Sequence, residues 1–158
     1  MTDLKVFSKP VVFTDFDGGV LNAFPNDKLL RRGGVHKVMT WAKPDSPYVK
    51  IYNPEKAFHL DGNEKARTPV GSWRIHWSSE LSEIVWIDDD ECFEQRAQAL
   101  EELQPKAPVL MVRPDYRIGI SRRQWKLIDT FVRHSEQFDA VTFDMEPTCR
   151  IYDIHHGF

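Results

Sequence analysis

The chain has 158 residues, a length that suits one domain burying roughly 70% of the surface its unfolded chain exposes. With 41% hydrophobic, 12% aromatic and 28% charged residues it is not a disordered chain, and a formal net charge of -3 gives no global positive field to hold a nucleic-acid backbone. Cys92 and Cys149 are the whole cysteine complement and stand far apart, so two thiols are expected rather than a disulfide framework or a zinc knuckle.

The opening segment Met1 to Lys9 is polar and charged, without an apolar signal core. No apolar stretch approaches the ~20 residues that cross a bilayer, so the expectation is a cytoplasmic protein with no membrane partner. Pro10-Val11-Val12-Phe13-Thr14 is apolar on both faces and stops at Asp15-Phe16-Asp17-Gly18-Gly19, as a buried parallel strand ends in a functional loop. From Ala23 to Trp77 the pattern changes to short alternating segments, Val35 to Trp41, Tyr48 to Tyr52 and Trp73-Arg74-Ile75-His76-Trp77, punctuated by Pro, Gly, Asn and Asp. This predicts an antiparallel, β-rich insertion over 23–77, a flap placed after the first strand and able to roof the acidic edge.

Ile84-Val85-Trp86-Ile87 is a second buried strand and stops at Asp88-Asp89-Asp90. Phe93, Ala97, Leu100 and Leu103 then recur at helical spacing, closed by Pro105. Val109 to Val112 is a third buried strand, ending at Arg113-Pro114-Asp115. Ser121 with Gln124 three residues on predicts a capping box, and Trp125, Ile128, Phe131 and Val132 mark the apolar face of the helix it starts. Phe138 to Met145 predicts one more strand. Strands alternating with helices predict an α/β fold, a single domain over 1–158 with a parallel Rossmann-like sheet and helices on both faces, whose ligands sit beyond the carboxyl ends of the strands.

Two carboxylates one residue apart at a strand end can turn toward one point only if the loop bends, which Gly18-Gly19 permits. A second acidic pair, Asp88-Asp89, closes the next buried run. Mg²⁺ prefers hard oxygen ligands and keeps several waters, so carboxylates from two neighbouring strands suit it.

Val11-Val12-Phe13-Thr14-Asp15-Phe16-Asp17-Gly18 resembles the first motif of the haloacid dehalogenase-like (HAD) superfamily, and Ile84-Val85-Trp86-Ile87-Asp88-Asp89 its fourth. Asp17-Gly18-Gly19-Val20-Leu21-Asn22, His76 to Leu81, Trp86 to Asp90 and Val112-Arg113-Pro114-Asp115 through Gly119-Ile120-Ser121 resemble, more narrowly, the branch found in multidomain RNA-repair proteins and in actinobacterial and phage proteins. The resemblance implies a Mg²⁺-dependent phosphohydrolase in which Asp15 attacks phosphorus to give an aspartyl-phosphate and Asp17 acts first as acid and then as base. It also implies Asp15, the Asp17 carbonyl, Asp88 and Asp89 around the metal.

The superfamily places a Ser or Thr after its second strand to hold the phosphate and a Lys or Arg ahead of the fourth. Only Leu81-Ser82-Glu83 separates Ser78-Ser79-Glu80 from the strand at Ile84. Either the chain is internally shortened, or Trp73 to Trp77 is a substitute strand whose Ser78 or Ser79 holds the phosphate together with Gly18, with Arg74 and Arg113 as cationic stand-ins. The expected substrate is a phosphate monoester, whether on a small molecule such as a nucleotide or on a nucleic-acid end, turned over weakly if those groups are missing. The alternatives are a weakened HAD-like protein that binds metal or phosphate, and a metal-dependent nuclease using the same carboxylates.

Overall fold

The structure, a computed structural model, describes residues 9–14, 35, 37–40, 57–59 and 70–149. Its strands are β1 (Val11–Thr14), β2 (Lys37–Thr40), β3 (Ala57–His59), β4 (Ile84–Ile87), β5 (Val109–Arg113) and β6 (Val141–Met145). The helices are α1 (Val70–Ser78), α2 (Phe93–Leu103) and α3 (Arg122–His134), the last running into a 3₁₀ turn at Ser135–Gln137. The strands form one sheet in the order β3-β2-β1-β4-β5-β6, and every neighbouring pair is parallel. The α/β class and the parallel sheet follow the sequence expectation.

The inner strands are continuous apolar runs because both of their faces are covered. Alternate residues point to opposite sides. Val12, Val85, Ile87, Leu110 and Val112 pack with Trp125, Ile128 and Phe131 of α3 on one face. Val11, Phe13, Ile84, Trp86, Val109 and Met111 pack with Ile75 of α1 and with Phe93, Ala97 and Leu100 of α2 on the other. Trp86 and Phe93 meet edge to face with ring centroids 4.9 Å apart, joining strand to helix in the middle of that layer.

The steps β3 to β4, β4 to β5 and β5 to β6 all run the same way across the sheet, yet α3 lies on the face opposite α1 and α2. The α3 crossover therefore has the opposite hand to the other two, although parallel crossovers are nearly always right-handed. It is tied down by polar contacts: Arg123 of α3 grips Asp144 of β6 through two hydrogen bonds of 2.7 and 2.9 Å, and Gln124 reaches the same carboxylate at 3.1 Å.

Two expectations are corrected. The segments at Lys37–Thr40 and Ala57–His59 are not an antiparallel flap; they extend the main sheet as parallel strands beside β1. The connections before and after them are long enough for the crossovers that parallel pairing demands. Trp73 to Trp77 is not a substitute strand but part of α1, the crossover into β4. Its apolar alternation imitates a strand, but Ile75 is buried while Trp77 is 67% exposed. Most of the remainder of 23–77, including Tyr48 to Tyr52, lies outside the described residues.

Candidate functional site

β1 and β4 are adjacent, parallel and in register, Thr14 opposite Ile87, and β4 and β5 likewise, Ile87 opposite Val112. Their carboxyl ends form one edge. The ladder continues one residue past β4, where the Asp88 N–H donates to the Val112 carbonyl at 3.2 Å. Asp88 is thus held as strand backbone, and only 1% of it is exposed. The Asp90 N–H then donates to Asp88 Oδ1 at 3.1 Å, which bends the chain out of the sheet.

Asp90 serves the next helix. Its Oδ1 accepts the Cys92 N–H at 2.8 Å, supplying a cap for α2 that the Cys92 side chain does not provide. Its Oδ2 accepts Arg96 Nε at 2.9 Å and lies 2.8 Å from an Arg96 terminal nitrogen. Arg96 is buried under the loop. Asp89 is half-buried between these two aspartates. Cys92 is exposed and Cys149 buried, both as thiols.

On the far side of β5 the edge is built from ion pairs. Buried Asp115 accepts the Arg117 N–H at 3.0 Å, Arg117 Nε at 2.9 Å and an Arg117 terminal N–H at 2.6 Å, and it takes the Thr148 hydroxyl at 2.6 Å. The Arg117 side-chain hydrogen bonds hold the Asp115 carboxyl well below the usual carboxylate range, against the opposing effect of burial and with help from Thr148. Gly119, with φ of 76°, closes this loop by donating to the Asp115 carbonyl at 2.8 Å. Ser121 caps α3 through the expected capping box and also donates to Glu146, which Arg123 contacts at 3.1 Å.

These pairings divide the acidic groups of the edge. Asp90, Asp115 and Asp144 are each engaged by an arginine, and a cation could take them only by breaking that pair. Asp88 and Asp89 are the described carboxylates positioned beside β1. Among the described residues, no three His, Cys, Asp or Glu side chains gather as a metal-holding group. The other expected partners, Asp15, Asp17 and Gly18, lie outside the described residues, as do His155 and His156.

Ser78 and Ser79 are not at this edge, and the expectation that they hold phosphate is corrected. They close α1 at the amino ends of the strands, where Ser79 Oγ donates to the His76 carbonyl at 2.6 Å and accepts the N–H of Lys106, in the loop that enters β5, at 3.0 Å. The adjoining turn is fastened there too, by Ser82 Oγ to the Lys9 carbonyl at 2.9 Å and the Val11 N–H to Glu83 at 2.9 Å. The length of β4, about 13 Å at ~3.3 Å per residue, separates that turn from Asp88. Arg113, by contrast, ends β5 beside Asp88, buried, with a terminal nitrogen 3.3 Å from Met145 Sδ.

Two residues of interest were not found from sequence. Thr40 ends β2 in register with Thr14, at the same edge as Asp88, and the signal was a threonine closing a short alternating run. Arg96 carried none, because its partner Asp90 precedes the helix and falls outside the usual i, i+4 spacing. No family model, curated protein or solved structure matches this chain.

Proposed function

We propose that this chain is a Mg²⁺-dependent phosphohydrolase of the HAD type, acting on a phosphate monoester through an aspartyl-phosphate at Asp15. The observation that carries the reading is the register of β1 and β4: Asp15 follows Thr14 in the sequence, Asp88 follows Ile87, and Thr14 and Ile87 are opposite each other. The strands that precede the two acidic segments thus end side by side, as a shared cation would require.

In this mechanism the Asp15 carboxylate attacks phosphorus, the ester oxygen departs, and Asp17 gives it a proton. Water then attacks the aspartyl-phosphate while Asp17 takes the water proton, so that inorganic phosphate leaves and Asp15 is regenerated. The residue types suit a hard cation: Asp88 is a buried carboxylate whose Oδ1 accepts a peptide N–H, and Asp15, the Asp17 carbonyl and Asp89 would supply further oxygen ligands. Mg²⁺ held there would offset the repulsion between an anionic nucleophile and an anionic phosphate.

Thr40 ends β2 beside β1 and is the residue to test for the phosphate-holding role, with Arg113, which ends β5 at the same edge, as a cationic candidate. Hydrolysis of an aryl phosphate with Mg²⁺ tests the proposal. Activity should vanish in Asp15→Asn and fall about 10²–10³-fold in Thr40→Val, the usual cost of removing one donor from the reacting oxygens. Cleavage of internal phosphodiesters with monoesters left intact would identify a nuclease instead.

A further inference from the structure

We infer that β6 is a docking edge for a second copy of this chain, the two β6 strands pairing antiparallel about a two-fold axis at Phe143. The inference is independent of the phosphatase reading. Strand β6 closes one side of the sheet, and among the described residues no strand lies beyond it. The ends of its ladder with β5 show which main-chain groups remain. The Val109 N–H donates to the Ala140 carbonyl at 3.0 Å, and the Glu146 N–H to the Arg113 carbonyl at 3.4 Å. Alternate residues of a strand turn their N–H and C=O to the same side, so Thr142 and Asp144 also face β5, while Val141, Phe143 and Met145 present theirs to the outer edge. No hydrogen bond engages those outer groups among the described residues. Solvent reaches the strand: β4 and β5 are buried throughout, whereas β6 is half-buried from Thr142 to Met145.

Open edges are normally blunted by a lysine, a proline, a bulge or brevity. The opposite edge strand, β3, has three residues. β6 has five, Val141-Thr142-Phe143-Asp144-Met145, with no lysine, proline or glycine among them. Its one charge, Asp144, is drawn toward α3 by Arg123 and Gln124 and does not guard the edge. The strand is also complementary to itself. With Phe143 on the axis, Phe143 meets Phe143 of the other copy and Val141 meets Met145, each as a hydrogen-bonded pair, so the outward N–H and C=O groups of both strands are satisfied together. On the opposite face Thr142 falls against Asp144 of the other copy, a hydroxyl beside a carboxylate, and no like charges stand opposite. The Phe143 ring is already held by Phe93, with centroids 6.1 Å apart, so pairing orders little that is not ordered in the single chain. Strand pairing alone buries less than the ~1,200 Å² of a standard interface, which makes this a reversible, concentration-dependent dimer.

Analytical ultracentrifugation of the full chain over about 1–500 µM, a span suited to a small interface, tests this, with thermal melting to show that each variant is folded. The mass should rise from 18.5 kDa toward twice that value. Two-fold symmetry repeats the contact of Thr142 with Asp144, so a charge placed at Thr142 acts twice. Thr142→Asp should raise the dimer Kd about 3–30-fold and Thr142→Lys should lower it by about as much, since like charges across strands repel and opposite charges attract. Met145→Pro removes an outward N–H while the bonds to β5 stay in place, and should raise the Kd by more than about tenfold. Amide exchange at Val141, Phe143 and Met145 should slow as the concentration rises. If Met145→Pro does not fold, the two Thr142 variants carry the test. A chain that stays at 18.5 kDa throughout would overturn the inference and leave the edge to a different protein. A dimer indifferent to the sign of the charge at Thr142 would overturn it too, because that dimer uses another surface. So would a single chain in which the three amides are already protected at the lowest concentration, their partner then being a segment of the chain itself.

Discussion

Removing the Asp115 carboxylate should cost this fold about as much as a core truncation, although Asp115 belongs to a loop. The side chain accepts two hydrogen bonds from the Arg117 guanidinium, one from the Arg117 N–H and one from the Thr148 hydroxyl, and so joins the β5–α3 loop to the segment after β6. Hydrogen bonds to a charged group contribute about 1.5–3 kcal/mol each when buried. The Arg117 side chain is 43% exposed, so solvent screening discounts its share. With the Thr148 hydroxyl and the Arg117 N–H included, Asp115→Ala should lose about 3 kcal/mol, a fall in Tm of roughly 6–12 °C for a chain of this length. Asp115→Asn keeps one acceptor oxygen and should lose about half as much. The pH dependence follows from the same contacts. The folded carboxyl titrates below its unfolded value, so its contribution is fully present above that unfolded value, near ~4, and is lost as the pH falls below it toward the folded value. Urea denaturation of the parent and of Asp115→Asn from pH 7 downward should show the two stabilities converging in acid. An Asp115→Ala protein within about 0.5 kcal/mol of the parent, or a constant gap between parent and Asn variant down to low pH, would refute the assignment of this carboxylate as the clasp.

Two further changes separate structure from chemistry. Ser79→Ala should reduce stability by about 1–2 kcal/mol, because the Lys106 N–H loses its acceptor at a buried site, yet phosphatase activity per folded molecule should be unchanged, as it should in Ser78→Ala; a loss of turnover in folded protein would put these serines back at the phosphate. Gln104 closes α2 in the left-handed region at φ 56°, so Gln104→Gly should stabilise the protein by about 0.5–1 kcal/mol in urea unfolding, and no gain would mean that this conformation is not strained.

The parts of the fold legible in the sequence are those where one local signal decides the outcome. β1, β4 and β5 are unbroken apolar runs that end in charge, because a parallel strand buried on both faces has no polar side to display. α3 is announced by its capping box, and Ser121 and Gln124 make both reciprocal bonds. β2 and α1 were misread for the opposite reason. Lys37 to Thr40 is a strand whose partner is chosen by tertiary pairing, and nothing within four residues says whether that partner runs parallel or antiparallel. Trp73-Arg74-Ile75-His76-Trp77 alternates as a strand would, but it must carry the chain back across the sheet from β3 to β4, and a helix does so. The Asp115 clasp could not be read at all, since Thr148 lies 33 residues away.

The same logic explains how the edge can be so acidic without becoming a general cation trap. The carboxylates of Asp88, Asp89, Asp90, Asp115, Asp144 and Glu146 are among those that lie at or just beyond the ends of β4, β5 and β6. Left together they would repel one another and raise each other's affinity for protons. The arginines prevent this by assignment: Arg96 takes Asp90, Arg117 takes Asp115, and Arg123 takes Asp144 and Glu146. Each pair also fastens an element, whether the first turn of α2, the loop into α3 or the end of β6. The paired carboxylates thus fix the frame around Asp88 and Asp89, which follow the strand next to β1.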